Sequence, residues 1–233
     1  MLDAAATSPS SSVGDYLKAV WDLTGFSGAI AGTKDVADKL SVSPASVTNM
    51  FVRLQEMDLV EYERYRGVSL TGRGRSEALR LVRRHRLIET FLLEHLGYTR
   101  QEVHEEAERL EHAVSDGFTE RLAELLGHPG HDPHGDPIPA ADGTLAADDS
   151  FPLGEAAAGA RVRVRKVADD DATVLDYLEE QGLIPGCVLE VVETRALDGV
   201  VTVRNGEETR SLGQVLTRAV FVRAERGPGS SLA

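Results

Sequence analysis

Apolar positions recur with a helical period along the first part of the chain. Leu17, Val20 and Trp21 lie three and four residues apart and predict a helix over Gly14 to Leu23. A shorter helix follows over Thr33 to Leu40, with Thr33 near its N-cap. Ser43-Pro44 sets a capping hydroxyl before a proline at the first helical position, the place where a helix readily accepts one. In the helix begun there, Val47, Met50, Phe51 and Leu54 fall at i, i+3, i+4 and i+7 and predict a core-facing stripe. The other side carries Ala45, Ser46, Asn49 and Arg53, with Thr48 at the flank. Those small and amide-bearing residues form a surface that can approach another molecule closely.

LVEYERYRGVSLT reads as two strands turning at Arg66-Gly67. Helix, helix and a two-stranded wing is the order of a winged helix-turn-helix. TGRGRSEALRLVRRHRLIETFLLEHLG predicts a loop passing into a long helix, and a second long helix is expected from Thr99 to Leu126, stopped at Gly127. GHPGHDPHGDPIPAADGTLAADDSFP is dense in proline, glycine and aspartate and reads as a connection to another domain. Beyond it, Arg161 to Val167, Val188 to Thr194, Val200 to Arg204 and Val220 to Arg223 read as strands, with a helix from Ala172 to Gln181. A small β-barrel with one helix is expected there.

Composition narrows the function. Of the 233 residues, 42 % are apolar and 27 % charged, the balance of an ordinary globular chain. No run approaches the roughly 18 apolar residues of a spanning helix, so no membrane partner is expected. The start, MLDAAATSPSSS, lacks the basic region and apolar core of a secretory signal and reads as a disordered tail. Cys187 is the single cysteine, which excludes an intramolecular disulfide and any multi-thiolate metal site and fits a cytoplasmic setting. The net charge of −13 is polarised: Arg53 to Arg86 holds nine basic and five acidic residues, whereas Gln101 to Ser150 holds two basic and thirteen acidic.

The acidic part contains HEEAERLEH, residues 104–112, with two histidines and four glutamates. At about 100° per helical residue, His104, Glu108, Glu111 and His112 share an arc of roughly 100°. His85 and Glu89, at i and i+4, share a face of the preceding long helix. A solvated acidic face, a hydrolytic metal site and a metal sensor all remain open on these residues alone. Against an enzyme, Glu108 stands where HExxH needs its second histidine. Arg109 before His112, and Val82 before His85, also break the Glu-x-x-His pattern of four-helix di-iron oxidases. A metal-dependent hydrolase or a metal buffer stands as the alternative of another class.

Together DYLKAVWDL, SPASVTNMFVRLQEMDLVEYERYRGVSLTGRGR, RRHRLIETFL, EHAVSD and HGDPIP resemble the metal-dependent transcriptional repressors of the diphtheria toxin repressor and manganese transport regulator type, over essentially residues 13 to 223. The resemblance implies a mainly α fold with β: a disordered tail over 1–12, a winged helix-turn-helix over 13–73, a helical dimerisation and metal domain over 74–142, a linker over 143–159, an SH3-like β-barrel over 160–226 and a tail over 227–233. It implies a primary metal site at Asp15, Glu108, Glu111 and His112 and a second at His85, Glu89 and His104, with Asp169, Asp170 or Asp171 as possible donors from the SH3-like domain.

Asp15 and Glu108 stand where iron-sensing members have methionine and cysteine, and such hard oxygen donors suit Mn2+, with Fe2+ as the alternative. Lys18 replaces a glutamate of the short manganese regulators. A homodimer on a double-stranded DNA operator is expected, with Ser43, Ser46, Thr48, Asn49, Arg53, Arg64 and Arg66 facing DNA. Phe91, Leu92, Val114, Phe118, Leu122 and Leu125 are the apolar positions offered for dimer contacts. An ion tying the first helix to the acidic one would set the spacing of the two DNA readers, so that the chain represses metal-uptake genes when loaded.

Overall fold

The computed structural model describes residues 11–25, 29–168, 172–195 and 197–225. Asp169, Asp170 and Asp171 lie outside them. The chain divides into two compact units, one of Met1–His85, Leu110–Glu120 and Pro139–Thr144, the other of Arg86–Arg109, Arg121–Ile138 and Leu145–Ala233.

The first unit opens with α1 (Ser11–Thr24), α2 (Thr33–Lys39) and α3 (Pro44–Glu56), then a hairpin of β1 (Val60–Glu63) and β2 (Gly67–Leu70). Helix α1 starts at Ser11, so the two serines expected in the tail form its first turn. Ser43 caps α3, its Oγ accepting from Ser46 N at 3.1 Å. Three of the four stripe residues lie in the core: Val47, Phe51 and Leu54 are fully buried with Leu17, Val20, Val36 and Val68, whereas Met50 is half-buried at its edge. The ring of Phe51 meets Tyr62 of β1 with centroids 5.2 Å apart, joining α3 to the wing.

The wing is antiparallel from Val60↔Leu70 to Glu63↔Gly67, and Ala31 joins Val68 through a third, single-residue bridge. Gly67 makes this possible: at φ +124° an added Cβ would stand 2.3 Å from the Ala31 carbonyl oxygen. A winged helix-turn-helix is therefore present.

Helix α4 (Gly72–Leu96) is launched by Thr71, whose Oγ1 accepts from Gly74 N at 3.0 Å and donates to Asp58 O at 2.8 Å. The second long helix expected over Thr99 to Leu126 is two helices, α5 (Arg100–Glu111) and α6 (Asp116–Leu125). Ser115 interrupts it, its Oγ accepting from Phe118 N at 3.2 Å as a new N-cap. Leu110, Val114, Phe118 and Leu122 keep a four-residue apolar spacing straight through the break, which concealed it.

The second unit contains one antiparallel sheet in the order β3-β8-β4-β5-β6-β7. Its strands are β3 (Phe151–Pro152), β4 (Arg161–Val167), β5 (Val188–Arg195), β6 (Val200–Asn205), β7 (Glu208–Leu212) and β8 (Val220–Ala224), accompanied by α7 (Ala172–Glu180) and α8 (Gln214–Ala219). Inward residues Val162, Val164, Leu189, Val191, Val201, Val203 and Val222 form its core with Leu153, Leu178 and Leu183. Among the described residues β3 and β7 remain edges, so the sheet is SH3-like without closing into the expected barrel. No described helix is long and apolar enough to cross a membrane.

Candidate metal centre

In the first unit α1 supplies Asp15 and the end of α5 supplies Glu111 and His112, and one donor atom of each lies within 4.8 Å of the others. His112 Nε2 is 2.8 Å from Asp15 Oδ1 and 3.5 Å from Glu111 Oε1. Consecutive helical side chains diverge by about 100°. Glu111 and His112 converge because the helix ends between them.

Glu111 is the buried anchor, with a side chain only 1 % exposed. Lys18 Nζ donates to both its oxygens at 2.9 and 3.1 Å. His85 Nδ1 lies 2.5 Å from Oε2 and, because a carboxylate only accepts, donates to it. Burial alone would push the Glu111 carboxyl up; the His85 hydrogen bond and the positive charges of Lys18 and His85 outweigh it and hold the group below its ordinary value. An ionised carboxylate, a second carboxylate and an imidazole form an all-oxygen-and-nitrogen set that fits a hard divalent cation.

The structure brings Asp15, Glu111, His112, Lys18 and His85 together in this unit. Glu108 belongs to the other unit, with Oε1 3.9 Å from His104 Nε2. Glu89, 2 % exposed, accepts from His104 Nδ1 at 3.1 Å in that unit.

Sequence reading treated DPHGDPIP as a connection and missed two residues in it. Asp132 Oδ1 accepts from the N–H groups of His134 and Asp136, both at 2.9 Å, and Arg86 Nε stands 3.3 Å from its Oδ2. Gly135 holds the turn against β4: at φ +92° a Cβ there would lie 1.9 Å from Arg165 O. Burial, reinforced by the charges of Glu89 and Asp136 and opposed by Arg86, pushes Asp132 up to about 7. Burial also holds the His134 imidazole below its ordinary value, against the pull of Glu89.

A raised carboxyl pKa means that the folded state binds the extra proton, so Asp132 stabilises below the ordinary carboxyl range and loses that contribution as pH rises to about 7. Asp132→Asn is neutral throughout. In chelated protein the melting temperature of the variant should therefore gain on that of the parent as pH rises from about 4 to about 7. Calorimetry at stepped pH measures the gap, and a constant gap would refute the assignment.

The residues expected to face DNA all sit in the first unit. Ser46, Asn49 and Arg53 are exposed on α3, and Thr48 Oγ1 donates to Pro44 O at 3.0 Å. Ser43 engages its oxygen in the cap and lies 2.9 Å from Ser46 Oγ. On the wing, Arg64 stacks 5.0 Å over the Tyr65 ring, and Arg66 Nη1 pairs with Glu63 Oε2 at 2.7 Å. Of the apolar positions offered for dimer contacts, Leu92 and Leu122 are buried within the chain, whereas Phe118 and Leu125 are 47 % and 63 % exposed.

Comparison with known proteins matches three family descriptions along the chain: iron dependent repressor, N-terminal DNA binding domain, over 10–68; iron dependent repressor, metal binding and dimerisation domain, over 71–140; and FeoA domain over 151–224. The iron-dependent repressor IdeR of Mycobacterium leprae is 29 % identical over 219 residues, covering 89 % of this chain and 94 % of that protein. The HTH-type transcriptional regulator MntR of Geobacillus kaustophilus is 36 % identical over 118 residues, 51 % of this chain and 82 % of that one. A solved manganese-dependent transcriptional repressor in complex with manganese is 38 % identical, covers 91 % of this chain and 100 % of its own, and superposes with a TM-score of 0.86. The chain belongs to the diphtheria toxin repressor and manganese transport regulator family of metal-dependent, DNA-binding transcriptional repressors.

Proposed function

We propose that the chain is a manganese-responsive repressor of metal-uptake genes that binds operator DNA as a homodimer. The observation that carries this reading is the cluster of Asp15, Glu111 and His112, three oxygen and nitrogen donors without sulfur. Glu108, three residues before Glu111 on α5, is the further oxygen donor that the resemblance implies. A second ion is assigned to Glu89 and His104 of the other unit, and the buried Asp132 and half-buried His134 extend that donor set. An Fe2+-responsive regulator is the second reading, favoured by the IdeR relatives and their matching length.

When bound, the cation supplies positive charge that holds carboxylates and imidazole at fixed separation. Asp15 then ties α1 to the end of α5, and α1 packs on α2 and α3, so the recognition helix inherits that restraint. The two recognition helices of a dimer must enter major grooves about 34 Å apart or a multiple of it. DNA binding titrated separately with Mn2+ and anaerobic Fe2+ tests the reading. Tight operator binding with Mn2+ at concentrations where Fe2+ is ineffective supports it, and equal binding in chelator rejects metal control.

Asn49, exposed in the middle of α3, is assigned to an adenine edge. Asn49→Ala should cost about 1–3 kcal/mol of discrimination between operator and mismatched duplex. Binding isotherms on both duplexes check it, and an unchanged ratio removes Asn49 from base readout.

A further inference from the structure

Helix α5 ends where the donors must converge, and something must fix that end. Ala113 N reaches back to Leu110 O at 2.9 Å, tightening the last turn, and His112 to Ser115 then run outside any helix. The α4 residue Arg84 inserts its guanidinium into this gap. Its Nη1 donates to the Glu111 carbonyl at 2.9 Å, and its Nη2 donates to Asp116 Oδ1 at 2.9 Å in the first turn of α6. Both ends of the break are thus held by one rigid planar group. Arg80, one turn earlier on α4, pairs with the other oxygen of Asp116.

Packing does not account for this arginine. Its side chain is 8 % exposed and its Nε finds no acceptor among the described residues, an arrangement that costs stability relative to an apolar side chain of similar volume. What the guanidinium does accomplish is directional. It fixes the Glu111 peptide and, through it, the turn that sends the His112 ring toward α1. There the ring lies so close to the backbone that a Cβ on Gly14 would stand 3.4 Å from His112 Cε1.

We propose that Arg84 is a positioning residue for the metal centre, clamping the α5–α6 break so that Glu111 and His112 face Asp15 together. It touches no ion, and it acts through the peptide that carries two of the donors. The inference rests on the proposed Asp15–Glu111–His112 site.

The test uses the full-length chain, with Mn2+ affinity measured by competition against a chelating dye. Arg84→Met should weaken Mn2+ binding by about 10- to 100-fold, the range found when groups that orient ligands are removed. Arg84→Lys, which keeps one donor, should lose less. In an Asp15→Ala background Arg84→Met should add almost nothing, because the clamp serves a site already broken. A merely structural role predicts equal further loss in both backgrounds, and that result, or unchanged affinity in Arg84→Met, overturns the inference. If Arg84→Met does not fold, Asp116→Asn loosens the other end of the clamp and should weaken Mn2+ binding in the same direction, with no change counting against the proposal. Asp15→Ala with Mn2+ affinity equal to that of the parent would defeat the site reading, and the clamp with it.

Discussion

Asp15→Ala is expected to lower operator affinity in Mn2+ by about 100-fold, to the level of the chelated parent, while the melting temperature of the chelated protein stays nearly unchanged. The magnitude follows from a two-state posture: if loading moves the DNA-competent fraction from 1:99 to 99:1, losing the ion reduces apparent affinity by about that factor. The selectivity follows from exposure. The Asp15 side chain is 37 % exposed and its partner His112 is 23 % exposed, and a pair so placed contributes at most about 1 kcal/mol to folding. Loss of a donor therefore separates from loss of fold. Gel shift or fluorescence anisotropy against Mn2+ concentration, beside thermal melts in chelator, reads both. Parent-like Mn2+ activation in Asp15→Ala would break the proposed link between the first helix and the acidic one.

Much of the winged unit was legible because its signals are local. Ser43-Pro44 announced α3, the i, i+3, i+4, i+7 stripe announced its buried face apart from the half-buried Met50, and Arg66-Gly67 announced a turn that falls at residues 64–66, with Gly67 already paired in β2; each signal depends on neighbours in sequence. The break between α5 and α6 was not legible, because a continuous apolar spacing overrode one serine cap, and the guanidinium that holds the break comes from α4, 27 residues before Glu111. Strand β7 escaped for a different reason. Its residues Glu208 to Leu212 are mostly charged or polar, as an edge strand permits, and only the Asn205-Gly206 turn before it marks a hairpin. Within the candidate site, the donor types on α5 could be counted in the sequence. Asp132 and His134 could not be separated from an ordinary proline-rich connection, since their burial depends on Gly135 fitting against β4.

Glu111→Ala should cost about 3–5 kcal/mol of folding stability in chelated protein at neutral pH, the penalty for leaving a buried charge without its partner. Lys18, 13 % exposed, would retain an ammonium facing the space that its two hydrogen bonds now fill, and His85 would lose its acceptor. Replacing both charges, Lys18→Met with Glu111→Leu, should recover most of that loss, because apolar pairs of similar volume often match or exceed buried ion pairs in stability. Neither protein should bind Mn2+ at this site. The pH dependence has a defined sign: with its carboxyl held below the ordinary value, Glu111 stabilises the fold above the ordinary range and the contribution disappears as pH falls through the folded-state value. The deficit of Glu111→Ala should accordingly shrink in acid. Urea denaturation at neutral and acid pH measures all three proteins. A single variant as stable as the parent would deny Glu111 its place in the core. A double variant no better than the single one would show that Lys18 is not the charge it balances, whereas stability regained without Mn2+ binding would mark this carboxylate as kept for the ion rather than for the fold.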